Sequence, residues 1–288
     1  MASAEPLGTG GENVRIVLTG ASSGIGRYLA ETLASVHQVW GIARRESVLQ
    51  RLQDELGSHF VFSAADVADW EAMAACADEV KKVWKGIDAL ICCAGIVTPV
   101  GPAMQADPRQ WSDSVRVNLD GTYYPVRVFY DLLQSARPRA KIVCFSGGGA
   151  TGPRANFSAY ASAKSGVVRL VESLSHEWRD GAVDINAVAP GAIPTQMTEA
   201  VIDAGPGLAG DKEYESALAQ QGDREDALGR VGELVQYLLS SASDRISGKL
   251  ISALWDPWDD FDQHKDRLAD SDIYTLRRIV PTDRGESW

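Results

Sequence analysis

Residues 14–26 constrain this chain more than any other stretch. Val14 to Thr19 (VRIVLT) is a short apolar, β-branched run, the pattern of a parallel strand buried on both faces. Gly20-Ala21-Ser22-Ser23-Gly24-Ile25-Gly26 follows at once, and a helical pattern then runs through Ala34. Strand, glycine-rich turn and helix in this order form an opening for a dinucleotide. The glycines let the backbone approach a pyrophosphate, which gains further from the positive end of the helix dipole. The spacing is G-x-x-x-G-x-G rather than G-x-G-x-x-G, so the flanking strand and helix carry the assignment.

The alternation continues. Gln38 to Ala43 reads as a second strand and ends at Arg44-Arg45. In a dinucleotide fold this strand end meets the adenosine ribose. An acid there binds the 2′-hydroxyl of NAD, whereas an arginine accommodates the 2′-phosphate of NADP. Ala43 holds the acid position and Arg44 follows it. A guanidinium makes charge-assisted, often bidentate contacts to phosphate, so the expected cofactor is NADP(H). His59 to Ala64 is a third strand, followed by Asp66-Val67. That aspartate can accept from an adenine amino group or cap the next helical run. Ile87 to Cys92 is a fourth strand, running into Cys93-Ala94-Gly95, where small residues admit close approach of a cofactor. A helix is expected from Trp111 through Asn118 to about Ala136, and a fifth strand from Ala140 to Ser146. Gly147-Gly148-Gly149 cannot be strand interior. The run lies just past a strand's carboxyl end, where open α/β folds bind ligands. Val183 to Ala189 is a sixth strand, left through Pro190-Gly191-Ala192-Ile193-Pro194-Thr195. This order predicts an α/β Rossmann fold: a doubly wound, parallel, seven-stranded sheet with helices on both faces.

Tyr160 and Lys164 stand four residues apart at the head of a run that reads as helix from Ser162 to Trp178. Positions i and i+4 share a helix face, so phenol and ammonium can point into one space. A neighbouring ammonium favours the phenolate and suits the tyrosine to general acid–base work.

Composition narrows the partners. A net charge of −11 argues against nucleic acid or an anionic membrane as a general partner. No stretch approaches the roughly 20 apolar residues of a membrane span. The opening MASAEPLGTGGEN lacks the basic and apolar regions of a signal peptide and reads as a flexible tail over residues 1–13. Cys76, Cys92, Cys93 and Cys144 sit in apolar patterns without metal-type spacing, which suits buried, reduced thiols in the cytoplasm. The four histidines are scattered, and no metal site is expected.

The pieces TGASSGIG (Thr19–Gly26), Asp66-Val67, CCAG (Cys92–Gly95), VNLDGT around Asn118, YASAK (Tyr160–Lys164) and PGAIPT (Pro190–Thr195) occur together over residues 14–253. In order and spacing they resemble the short-chain dehydrogenase/reductase family, in its compact branch. The resemblance implies that Tyr160 protonates a carbonyl oxygen as hydride arrives. Lys164 would hold the nicotinamide ribose and lower the tyrosine pKa, and Asn118 would anchor a water of the proton relay. Ile193 and Thr195 would contact the carboxamide and the diphosphate side. It further implies a small-molecule carbonyl or alcohol as substrate and a homodimer or homotetramer.

Three features depart from the family pattern. The usual NNAG is CCAG, so backbone bonds of that turn must be met otherwise. The family's catalytic serine, thirteen residues before the tyrosine, falls on Gly147. Ser146, Thr151 or a substrate hydroxyl are the candidates to replace it. The gap also keeps an alternative open, a non-catalytic protein binding NADP as a sensor or scaffold. Lastly, residues 254–288 extend past the family's last strand. Trp255, Trp258 and Phe261 are expected to pack on the body or a neighbouring subunit, and Asp270 to Ile279 to form a short helix. Residues 196–226, rich in glycine, alanine and charge, are expected to be a mobile loop over the substrate.

Overall fold

Every strand expected from the sequence forms, and each pairs in parallel with its neighbours. The structure, a computed structural model, describes residues 14–136, 138–219 and 224–288; the expected tail 1–13 lies outside them. Among the described residues seven strands make one sheet. They are β1 (Arg15–Thr19), β2 (Gln38–Ala43), β3 (Phe60–Ala64), β4 (Ala89–Cys92), β5 (Ala140–Phe145), β6 (Val183–Ala189) and β7 (Leu250–Ser252), in the order β3-β2-β1-β4-β5-β6-β7. The order reverses between β1 and β4, the switch point where the crevice of such a sheet opens.

Alternate side chains of β1 show why both faces must be covered. Ile16 and Leu18 enter a core layer with Leu29 of α1 (Gly24–Leu33) and Leu234 of α9 (Arg224–Leu239). Val17 faces the opposite layer, with Met73 of α3 (Trp70–Val83), Phe129 of α5 (Gly121–Leu133) and Val167 of α6 (Ser158–Glu177). A short amphipathic helix, α2 (Glu46–Leu56), covers β2 and β3.

Three expectations are corrected. The helix read from Trp111 to Ala136 is α4 (Pro108–Val115), a π-helical turn over Arg116–Asp120 and α5. Such wide turns concentrate at functional sites, and this one carries Asn118. The described part of the expected loop 196–226 is helical: α7 (Gln196–Ala209) and α8 (Asp211–Ala219). Thr195 and Thr198 form a capping box that starts α7, and Gly205, at φ 72°, kinks it before Pro206. Val201, Ala209 and Ala217 then pack with Phe157 and Tyr160 in a small apolar cluster.

The extension departs from expectation at Trp255 and in the position of its helix. Trp258 and Phe261 are buried on α9, and the Trp258 indole donates to the Ala253 carbonyl at 3.1 Å beneath the Arg230 guanidinium, 3.9 Å above the ring. Trp255 does not pack; it is 81% exposed. The helix forms at α10 (Lys265–Ala269) instead of from Asp270. Backbone bonding explains the shift. The Tyr274 carbonyl accepts from the Leu250 amide at 2.8 Å and the Ser271 carbonyl from Lys249 Nζ at 2.6 Å, so this segment is bound to the open edge of the sheet.

Trp258→Ala should therefore cost about 3–5 kcal/mol of unfolding free energy in a urea titration. Trp255→Ala should stay within about 0.5 kcal/mol of the parent.

Candidate active site

Two clefts meet at the carboxyl end of the sheet. The first, of about 330 Å³, runs along the β1–α1 turn, the ends of β2, β3 and β4, and the head of α6. The second, of about 760 Å³, lies between the glycine run after β5, the β6 exit, α7, α8 and the extension. Tyr160 borders both. Nearly all residues singled out from the sequence border the first cleft, from Gly20, Ser22, Ser23, Gly24, Ile25 and Gly26 to Lys164, Pro190 and Thr195. Gly191 and Ile193 border the second, and Asn118 is fully buried behind the first.

The β1–α1 turn is built for close approach. Gly20 and Gly24 hold φ of 76° and 54°, a region that glycine enters without penalty. A Cβ on Gly20 would lie 2.8 Å from the Ala94 amide nitrogen, and one on Gly26 would overlap the Gly20 carbonyl. At the far end of this cleft Arg45 donates to Ser22 Oγ at 3.1 Å and to its carbonyl at 3.0 Å. Arg44 stands 3.8 Å from Asp66, mostly exposed. Asp66 also accepts from the Ala68 amide at 3.0 Å, so it both caps its turn and faces the cleft.

The CCAG turn meets its backbone bonds through distant side chains. Thr19 Oγ1 accepts from the amides of Cys93 and Ala94 at 3.2 and 3.3 Å. The Asn118 side chain accepts from the Ile96 amide at 3.2 Å and donates to the carbonyls of Ile96 and Ser114 at 2.8 and 2.9 Å. Burial pushes the Cys93 thiol up to about 12. A bond to Cys144, together with burial, raises Cys92 as well. These thiols stay protonated and are poor nucleophiles.

Lys164 is buried, and its ammonium donates to the Phe145 carbonyl at 2.8 Å. Burial lowers its pKa to about 8. Burial raises the Tyr160 phenol above its ordinary value, and the cation that opposes this rise is Arg154. Lys164 lies 5.7 Å from the Tyr160 ring centre.

At the serine gap, adjacent residues face different clefts. Ser146 borders the first, where its Oγ is buried with no hydrogen-bond partner among the described residues. Gly147 borders the second. A Cβ on Gly147 would overlap the Tyr160 hydroxyl and sit 3.0 Å from Tyr160 Cζ. The phenol itself occupies the space a side chain at position 147 needs. Thr151 borders the second cleft. The glycine cradle and the adjacent arginines suit the phosphates of a dinucleotide in the first cleft.

Arg154 and Met197 take part in this site without having been singled out from the sequence. Arg154 lies in an aperiodic loop, TGPRAN. Its one sequence signal is a cation among small residues shortly before Tyr160. Among the described residues no group of three His, Cys, Asp or Glu could hold a metal ion, and no helix is long and apolar enough to cross a membrane.

Comparison with known proteins agrees with this geometry. The family described as short chain dehydrogenase matches residues 14–205. A benzil reductase ((S)-benzoin forming) of Saccharomyces cerevisiae is 30% identical over 237 residues, 80% of this chain and 84% of the relative. The 3-oxoacyl-acyl-carrier-protein reductase of Escherichia coli is 32% identical over 190 residues, 65% of this chain and 76% of the relative. A short chain dehydrogenase/reductase structure from Saccharomyces cerevisiae superposes with a TM-score of 0.76 at 22% identity, covering 85% of this chain and 98% of that one. A short chain dehydrogenase of Shigella flexneri complexed with NADP gives 0.72 at 22% identity, covering 84% and 97%.

Gly147→Ala should displace the buried Tyr160 ring and lower stability by about 1–3 kcal/mol, read from the urea midpoint. A midpoint equal to the parent's would mean the phenol has room to move.

Proposed function

Because the chain belongs to the short-chain dehydrogenase/reductase family, we propose that it is an NADP(H)-dependent oxidoreductase interconverting a carbonyl and a secondary alcohol, working as a ketone or aldehyde reductase. The observation that carries this reading is the place of Tyr160, on the wall shared by the glycine-lined cleft and a larger open one. Reductase activity in the names of the benzil and 3-oxoacyl relatives supports the carbonyl class.

In this reading Gly20, Ser22, Ser23, Gly24, Ile25 and Gly26 cradle the pyrophosphate, with Pro190, Gly191, Ile193 and Thr195 closing the nicotinamide side. Arg44 and Arg45 take the 2′-phosphate, Asp66 and Val67 border the adenine, and Ala94 and Gly95 let the cofactor and the backbone approach closely. The cofactor, when bound, supplies the hydride. Tyr160 gives its phenolic proton to the carbonyl oxygen; Lys164 would hold the nicotinamide ribose and supplies the replacement proton, with Asn118 fixing the turn behind it. Ser146 faces the cofactor cleft, so the reacting oxygen must find its second donor elsewhere. In the larger cleft Glu213 is neutralised by Arg154 at 2.7 Å, and Asp256 adds a further carboxyl. A neutral substrate suits that balance. Residues 14–253 act as one catalytic domain, α7 and α8 cover the substrate, and 254–288 walls the cleft. A cytoplasmic homodimer or homotetramer completes the proposal. The filled serine position at Gly147 is the one observation favouring the alternative, a cofactor-binding sensor or scaffold.

NADPH turnover with benzil, a 3-oxoacyl thioester and cyclic ketones tests the reading. Tyr160→Phe should lower kcat/KM by at least about 10²-fold; undiminished activity would sink the mechanism, and tight NADPH binding without turnover would favour the sensor. Arg44→Ala should weaken NADPH about ten- to a hundredfold, the worth of a charged hydrogen bond, and leave NADH little changed. Equal losses for both would remove the basis for NADP.

A further inference from the structure

Tyr160 is reached by more charge than the proposed mechanism uses. Arg154 projects from the loop before α6, in the larger cleft, with its guanidinium 3.9 Å above the Phe157 ring centre and 5.9 Å from that of Tyr160. It is held there by Glu213 of α8, whose Oε2 accepts from Nε at 3.0 Å and from Nη2 at 2.7 Å. A Cβ on Gly149 would lie 3.1 Å from Arg154 Cβ and 2.8 Å from Ala161 Cβ, so the bare backbone at that position lets the Arg154 loop pack against α6. The other titratable groups around the phenol are the Lys164 ammonium on α6 and the Cys93 thiol after β4. Asp256 of the extension borders the same cleft.

We propose that Arg154 is a positioning residue for the proton transfer: held by Glu213 on α8, its guanidinium beside the Tyr160 ring stabilises the negative charge that develops on the phenol oxygen. A cation near a phenol stabilises phenolate, and a carboxylate bound to that cation offsets it. Tyr160 is buried and the Arg154 and Glu213 side chains are mostly so, which leaves such effects less screened than at an open surface. The role matters here because position 147 cannot carry a donor while Tyr160 stands against it. The direction agrees with Arg154 being the cation that lowers Tyr160 against its burial.

The inference rests on Tyr160 being the acid–base group, and its test separates the two. The phenolate absorbance of Tyr160 is isolated in the cofactor-free protein by subtracting the titration of Tyr160→Phe. The titration is repeated in Arg154→Ala, Arg154→Lys and Glu213→Gln. Arg154→Ala should move it up by about one pH unit, Arg154→Lys should restore most of it, and Glu213→Gln should move it down. The rising limb of the pH profile for NADP-dependent oxidation of benzoin, where Tyr160 must be deprotonated, should shift likewise. An unmoved titration in Arg154→Ala, or a shift that Arg154→Lys does not reverse, would overturn the inference. Should Arg154→Ala fail to fold, a null or upward shift in Glu213→Gln overturns it. Activity surviving in Tyr160→Phe would instead overturn the mechanism and leave the electrostatic coupling standing.

Discussion

The burial of the Lys164 ammonium constrains the whole carboxyl end of the sheet. A charged amine taken out of water is costly unless bonded, and here its partner is the Phe145 carbonyl at the last residue of β5. That bond ties α6 to the strand end just before the glycine run. Gly95, beside the ammonium, makes room for Asn118: a Cβ there would lie 2.7 Å from Asn118 Oδ1 and in ordinary contact, 3.4 Å, with Nζ. Asn118 in turn holds the turn after β4 through both its side-chain oxygen and its nitrogen. Tyr160, one helical turn before Lys164, is thereby fixed at the wall between the clefts. Burial lowers Lys164 to about 8, which makes proton exchange at this amine accessible near neutral pH.

Much of this was legible because it is local. β1, the glycine turn and α1 follow from residues adjacent in sequence, and so do the strands, whose apolar runs are interrupted by turn residues. Tyr160 and Lys164 share a face by helical spacing alone. What escaped depends on contacts between distant segments. Residues 196–219 are poor in helical periodicity and carry three glycines and a proline, yet fold as α7 and α8 because Val201, Ala209 and Ala217 find Phe157 and Tyr160. Asp270 to Ile279 has a helical cap and spacing, but its carbonyls bond the edge of β7 instead. Trp255 and Trp258 look alike in sequence. Only the second reaches α9, because the turn at Ser252 and Asp256 holds the first outward, with the Ser252 amide on Asp256 at 2.7 Å.

The glycine at position 147 is best understood as a change in how the site is packed. A side chain there and the present position of Tyr160 exclude each other. With the bare Cα, the phenol settles into the wall, its ring joined to the apolar cluster of α7 and α8. That deeper seat has an electrostatic consequence, since burial disfavours the phenolate. A compensating cation is needed nearby, and the loop that follows the glycine run supplies Arg154 at 5.9 Å. Arg154 is steadied by α8 rather than by the sheet, so the elements that cover the larger cleft also hold the charge beside the tyrosine. The position of α8 and the acidity of Tyr160 are then coupled through one ion pair, and any motion that carries Glu213 away must alter both the shape of the cleft and the field at its acid.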